Sequence, residues 1–222
     1  MPEITMTGAS GRLEGSYLAG KTPEAPIALI LHGHPKAAGN MNNPVPIVLF
    51  RVFMKRGFAT LRFNFRGVGR SQGEFDMGIG ELADAATALD WLQQNNPQAA
   101  QTWVAGYQFG AYVGMQLLMR RPEMDGFVSV SPPMNMYDFS FLAPCPSSGL
   151  ILHGSADTVA PVGEVERAAA KIRTQKGSTI EFEQVPDASH FWVDHTADIE
   201  ARVGAYVDRR MAEPRRIRDK DR

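Results

Sequence analysis

The sequence predicts an α/β fold with a mostly parallel central sheet and helices on both faces. Three observations carry that prediction. Apolar runs of strand length alternate with longer segments whose apolar residues recur at three- and four-residue steps. The run APIALILH, from Ala25 to His32, is apolar and rich in branched side chains, the pattern of a strand covered on both faces. Polar residues then gather directly after several of these runs, where open parallel sheets collect ligands.

Composition sets the outer bounds. A chain of 222 residues that is 44% apolar can bury one core, which predicts a single domain over 1–212 followed by a charged tail over 213–222. Charged residues make up 21% and nearly cancel to a net charge of −1, so no strong field draws the chain to nucleic acid or an anionic membrane. The expected partner is a small-molecule substrate or ligand, and a homodimer stays open. Cys145 is the single cysteine, which excludes an internal disulfide framework and suits a reducing compartment. The opening MPEITMTGASGRLEG lacks the basic end and apolar stretch of a secretion signal, and no apolar span is long enough for a bilayer, so a cytoplasmic location is expected.

In chain order, RLEGSY and APIALILH read as strands. PVPIVLFRVFMKRG reads as a helix with proline near its start and Gly57 at its stop. FATLRFNF is a strand, GELADAATALDWLQQ a helix and QTWVAG a strand. A helix follows from Ala111 to Arg121, and DGFVSVS, SGLILHG and STIEFEQV are strands, with helices over 162–174 and 194–210. The proline- and methionine-rich stretch from Ser131 to Ser148 lacks helical periodicity and reads as a loop too short to form a lid domain.

Four groups of polar residues stand just past strands. They are His32-Gly33-His34-Pro35, the turn GYQFG from Gly106 to Gly110, Asp157 in SADTVAP, and His190 in PDASHFW. GYQFG has the strand, turn and helix setting of a nucleophile elbow, G-x-S-x-G, with Gln108 in the middle place. Elbow, acid and histidine follow one another in the chain order of α/β-hydrolases.

On LHGHP, LRFNFRGVGRSQGEFD, AGYQFGAYVGMQLL, GSADTVAP and DASHF, the chain resembles the α/β-hydrolase superfamily over nearly its whole length. It looks especially like the small, cap-less bacterial hydrolases related to dienelactone hydrolases. The resemblance implies an α/β-hydrolase fold without a large cap and no organic or metal cofactor. It also implies His190 as general base, Asp157 as the acid that orients it, and Gln108 at the nucleophile position. Phe109 then supplies one backbone N–H of an oxyanion hole, and a residue after HGHP, here Lys36, the other. The resemblance covers no substrate.

Glutamine departs from that pattern. Its amide donates and accepts hydrogen bonds but offers no nucleophile, so it forms no acyl-enzyme. Ser71, Ser129, Ser131, Ser189 and Cys145 do not lie between glycines on a strand-to-helix turn, which disfavours them as replacements. Three readings stay open. One is a serine esterase for small to medium carboxylic esters or related acyl compounds, with its serine replaced and its activity weak or altered. The second is a nucleophile-free hydrolase or lyase using His190 and Asp157 as a general base, with Gln108 and backbone donors holding the oxyanion. The third is a pocket that binds a small molecule or a protein and does no chemistry. The catalytic readings place the Gln108 amide within hydrogen-bond reach of His190.

Met41, Asn42, Phe75, Met134, Met136, Phe139, Phe141, Phe191 and Trp192 lie in loops at the right end of the sheet and are candidates to line a substrate cleft, or else to pack under the loops. His32 and His34 have H-x-H spacing, but no carboxylate or cysteine stands nearby to complete a metal set, which favours hydrogen-bonded structural imidazoles. His153 and His195 are expected to be structural or exposed. The glycines of FRGVGRSQGE miss the dinucleotide spacing and read as a turn needing positive φ, with Arg66 and Arg70 as ion-pair or turn residues.

Overall fold

The computed structural model describes residues 2–142, 144–173 and 178–213. The expected tail from 214 onward, and Thr174 at the end of one expected helix, lie outside the described residues. The strands are β1 (Glu3–Gly8), β2 (Gly11–Leu18), β3 (Ile27–Leu31), β4 (Ala59–Phe63), β5 (Thr102–Tyr107), β6 (Gly126–Val130), β7 (Gly149–Gly154) and β8 (Ile180–Val185). The helices are α1 (Pro44–Lys55), α2 (Ile79–Asn95), α3 (Phe109–Arg120), α4 (Val162–Arg173) and α5 (Thr196–Ala212). Among the described residues the strands form one eight-stranded sheet in the order β1-β2-β4-β3-β5-β6-β7-β8. The β1–β2 and β2–β4 pairs are antiparallel, and the other pairs are parallel. No helix of the described residues is long and apolar enough to cross a membrane.

Central strands are buried along their whole length, as the unbroken apolar run of β3 requires. Their side chains feed two cores. Residues of α2, α3 and α4 pack on one face, and residues of α1 and α5 pack on the other. Chain order reverses at β3, which sends β4 to one side and β5 to the other. That switch opens a crevice between the loops following β3 and β5.

Three sequence expectations need correction. Strand β1 was not expected: EITMTG is short and mostly exposed, with only Met6 buried, so its apolar signal is weak and the pairing with β2 defines it. Helix α3 begins at Phe109 rather than Ala111. Gly110 is a poor helix former, but a Cβ there would stand 2.4 Å from His32 O, so close packing outweighs propensity. Helix α5 begins at Thr196 rather than Asp194, because Asp194 takes a φ of 64° that no helix accommodates.

The turn after β4 behaves as expected: Gly67, Gly69 and Gly73 all have positive φ, at 71°, 56° and 88°. Arg66 pairs through Nε at 2.9 Å and Nη2 at 2.8 Å with the Asp84 carboxylate of α2, which also takes the Arg66 N–H at 3.0 Å. Arg70 reaches the carboxylates of Glu14 and Glu3. Removing one partner of a buried pair strands the other charge. Asp84→Ala is therefore expected to destabilise the fold by about 3 kcal/mol in urea unfolding, whereas Glu3→Ala, at an exposed pair, should cost less than about 1 kcal/mol.

His32 ties the ends of β3 and β4 together. Its Nε2 accepts from Phe65 N–H at 3.0 Å and its Nδ1 lies 2.7 Å from Gly33 O, so the neutral Nδ1–H tautomer satisfies both. Burial pushes its pKa down to about 4, against a smaller opposing pull from the Gly33 carbonyl. The unfolded chain therefore takes up a proton at this histidine as pH falls through 6.5, and the native chain does so only near 4. Stability from this site is fully present above 6.5 and declines by roughly 1.4 kcal/mol per pH unit down to about 4. Urea midpoints between pH 7 and pH 4 should follow that slope, and His32→Gln should remove its share.

Candidate active site

Three loops at the carboxyl ends of β5, β7 and β8 bring Gln108, Asp157 and His190 to one end of the sheet. Gln108 forms the turn between β5 and α3 with φ 51° and ψ −118°, a strained conformation for a residue with a side chain. Its N–H donates to Val130 O at 2.9 Å, and its carbonyl accepts from Ala111 N–H at 2.9 Å. Neighbouring side chains have no room. A Cβ at Gly106 would stand 2.3 Å from Gly110 O. Phe109 follows as the first residue of α3, and its N–H donates to no protein atom among the described residues.

Asp157 and His190 are joined directly: Asp157 Oδ2 lies 2.7 Å from His190 Nδ1. Asp157 Oδ1 accepts the N–H groups of Val159 at 2.9 Å and Ala160 at 2.8 Å, so the carboxylate is held at both oxygens. Burial alone would raise this carboxyl, but the His190 hydrogen bond and the Ala160 N–H outweigh it and hold it below the usual range. An ionised Asp157 fixes the proton of neutral His190 on Nδ1 and leaves Nε2 as the lone-pair edge. That edge has no protein hydrogen bond among the described residues.

A second histidine stands behind the acid. His153, near the end of β7, is fully buried with Nε2 2.7 Å from Ala160 O and 3.4 Å from Asp157 Oδ2. Two oxygens facing Nε2 place the proton there, and Nδ1 has no hydrogen-bond partner among the described residues. Burial keeps the ring neutral by pushing its pKa down. The expectation of a structural role omitted this contact with Asp157. His195, the other remaining histidine, caps α5 and pairs with Asp198 at 3.0 Å.

The expectation that the Gln108 amide lies within hydrogen-bond reach of His190 is corrected: its side chain makes no bond to that residue among the described residues. Its Nε2 donates to Tyr107 OH at 2.8 Å, and that hydroxyl donates to His190 O at 2.9 Å. Its Oε1 rests over Gly33, where a Cβ would come within 2.6 Å. Tyr107 was not singled out from sequence, since nothing local shows that its hydroxyl reaches a residue 83 positions away. Burial raises the Tyr107 phenol above its ordinary pKa, with the Asp157 charge adding to the effect, so it stays protonated as a donor.

Lys36 does not fit the role of oxyanion donor. Its N–H donates to His34 Nδ1 at 3.1 Å in the one-turn helix Pro35–Ala37, so it is already taken. The His34 N–H, two residues earlier, has no protein acceptor among the described residues. The His34 ring lies 4.8 Å from Phe75 and 5.1 Å from Phe109, which sets this loop beside the start of α3. With His32 bonded at both nitrogens and His34 at Nδ1, the H-x-H pair serves the backbone.

The expected cleft residues divide. Phe75, Met134 and Phe141 are half-buried, and Phe191 and Met136 are exposed, at 64% and 59%. Trp192 and Phe139 are corrected to core positions. Trp192 is fully buried among α1 and α5 side chains with its indole N–H on Ser131 Oγ, and Phe139 packs in the core beneath α3. Met41 is also buried, with its backbone N–H on Asn64 Oδ1. Asn42 is exposed and lines a different cavity.

Comparison with known proteins places the fold and the family. The chain is 45% identical over 211 residues to the uncharacterized protein RP471 of Rickettsia prowazekii, covering 93% of this chain and 89% of that one. The crystal structure of ATU1826, a protein of unknown function from Agrobacterium tumefaciens, superposes with a TM-score of 0.93 at 55% identity over 96% of this chain and all of that one, 100%. XC6422 of Xanthomonas campestris, described as an α/β serine hydrolase without a lid, superposes with a TM-score of 0.86 at 27% identity over 96% of each chain. The scaffold is thus an α/β-hydrolase of the serine-hydrolase type. The model of the X-Pro dipeptidyl-peptidase (S15) family matches residues 9–209, and the chain belongs to that family.

Proposed function

We propose that the protein is a small, cap-less acyl hydrolase related to dienelactone hydrolases. Its substrate is a small to medium carboxylic ester or related acyl compound, and Gln108 stands where the scaffold carries a nucleophilic serine. The observation that carries this reading is the Asp157–His190 pair at 2.7 Å, assembled beside a strained β5–α3 turn whose following N–H is free. In this reading Phe109 and His34 supply the oxyanion donors, and His190 Nε2 faces the reacting atom.

With glutamine at the turn, the chain forms no acyl-enzyme. In subtilisin, loss of the serine lowers turnover roughly a million-fold and leaves about a thousand-fold over water through the oxyanion hole and binding. One feature favours a residual reaction of the same kind. The Gln108 amide is turned onto Tyr107, so the His190 lone pair is left to take a proton from water. Such a site hydrolyses activated esters slowly and without a covalent intermediate.

Gln108→Ser is expected to raise nitrophenyl-ester turnover by about a thousand-fold or more and to bring labelling by a serine-directed phosphonate. Adding Asp157→Asn should remove most of that gain, roughly a thousand-fold or more. An X-Pro anilide run in parallel tests whether the amide chemistry named by the family description belongs to this chain. Absence of any gain in either assay would refute the replaced-serine reading.

A further inference from the structure

Beside the candidate active site, and walled by none of Gln108, Asp157 or His190, is a cavity of about 400 Å³. Its polar lining comes from Asn40 and Asn42 of the loop after β3, Asn64 at the end of β4, and Glu14 of β2. Each side-chain oxygen of this lining that has a partner already holds a donor. Glu14 takes Asn64 Nδ2 at 2.5 Å and Arg70 Nε at 2.7 Å. Asn64 Oδ1 takes Met41 N–H at 2.8 Å, Asn40 Oδ1 takes Asn42 N–H at 2.9 Å, and Asn42 Oδ1 takes Arg62 Nη1 at 2.6 Å. What remains unspent is donor capacity: both amide hydrogens of Asn42 and one of Asn40, whose other hydrogen goes to Ala38 O.

Behind Asn42 stands a cation without a counter-charge. Arg62 on β4 is only 6% exposed, its Nε is buried without a hydrogen-bond partner, and no carboxylate among the described residues pairs with it. Its guanidinium lies over the Phe50 ring at 5.5 Å, and its other contact is Met41 O at 2.6 Å. Burial and then the like charge of nearby Arg51 both make its protonated form less favourable. Glu14 does not supply the missing charge, because its carboxylate is committed to Arg70 and Asn64. A buried, unpaired guanidinium behind a wall of spare amide donors calls for an acceptor-rich anion.

We propose that this cavity is a second ligand site, which takes a small anion with a carboxylate or phosphate group on the amides of Asn42 and Asn40 in front of Arg62. It does not depend on the chemistry at Gln108. The same loop carries His34, the proposed oxyanion donor, and its next residue, Pro35, lines the cavity. The anion is either free in solution or an acidic group carried by the substrate.

Amide and imidazole NMR spectra of the full chain, titrated with inorganic phosphate against chloride at equal ionic strength, test the site. Saturable shifts of the Asn42 and Asn40 side-chain amides are expected. Asn42→Asp, at an exposed position, should weaken binding at least tenfold, and Arg62→Gln should do likewise. Asp157→Asn, which disables the proposed hydrolysis, should leave the titration unchanged, so the two readings fail separately. Monomethyl glutarate identifies the source of the anion. Shifts at Asn42 together with His190 Cε1–H mark a substrate-borne group, and shifts at Asn42 alone mark a free anion. Non-saturable shifts, or equal phosphate binding by Asn42→Asp, would overturn the proposal.

Discussion

The close approach of α3 to the end of β3 is the constraint on which the site depends. A Cβ at Gly110 would fall 2.4 Å from His32 O, and one at Gly106 would fall 2.3 Å from Gly110 O. Only glycine allows the helix to start that near the sheet, and starting there forces the residue between them to a φ of 51°. Several consequences follow from that one contact. The free N–H of Phe109 points out at the sheet's carboxyl end, and the helix dipole favours negative charge there. The Phe109 ring meets His34, Phe75, Tyr112 and Tyr137, so three loops are packed on the first residue of one helix.

The acid and base depend on a different set of ties. Their loops leave adjacent strands, β7 and β8, and are crosslinked by Ser155 N–H to Val185 O, Ala156 N–H to Ala188 O, and Asp187 N–H to Ser155 Oγ. The Asp157–His190 distance is therefore set by backbone bonds and by donors on both Asp157 oxygens, and Gln108 makes no hydrogen bond to either residue. Tyr107 is the link between the two halves, since its hydroxyl accepts from the turn and donates to the histidine loop. This division explains how the pair stays assembled while position 108 holds an amide.

Much of this was legible in the sequence. Strand and helix order, the glycine turn after β4, and the joint placement of Gln108, Asp157 and His190 all follow from local periodicity and chain order. The errors share a cause: they concern contacts made across the fold. Lys36 looked like a donor because it follows HGHP, but which N–H is free depends on the His34 ring folding back onto it. Trp192 looked like a cleft wall because it lies in a loop at the right end of the sheet, yet its indole reaches Ser131 on another strand end and is buried. Strand β1 is defined by its partner rather than by its own pattern.

The orientation of the Gln108 amide bears on what the site can still do. A hydrogen bond from that amide to His190 would occupy the lone pair that a general base needs. Instead Tyr107 OH takes the Nε2 donor at 2.8 Å, and Oε1 lies over Gly33, where no side chain competes. The glutamine is thus accommodated within its own turn, and the imidazole keeps its tautomer from Asp157 and its open edge toward solvent. In the replaced-serine reading proposed above, glutamine at position 108 lacks the atom that would form the covalent bond. The Asp157–His190 pair keeps its geometry through the ties of its own two loops, and residue 108 reaches that half of the site through the Tyr107 hydroxyl.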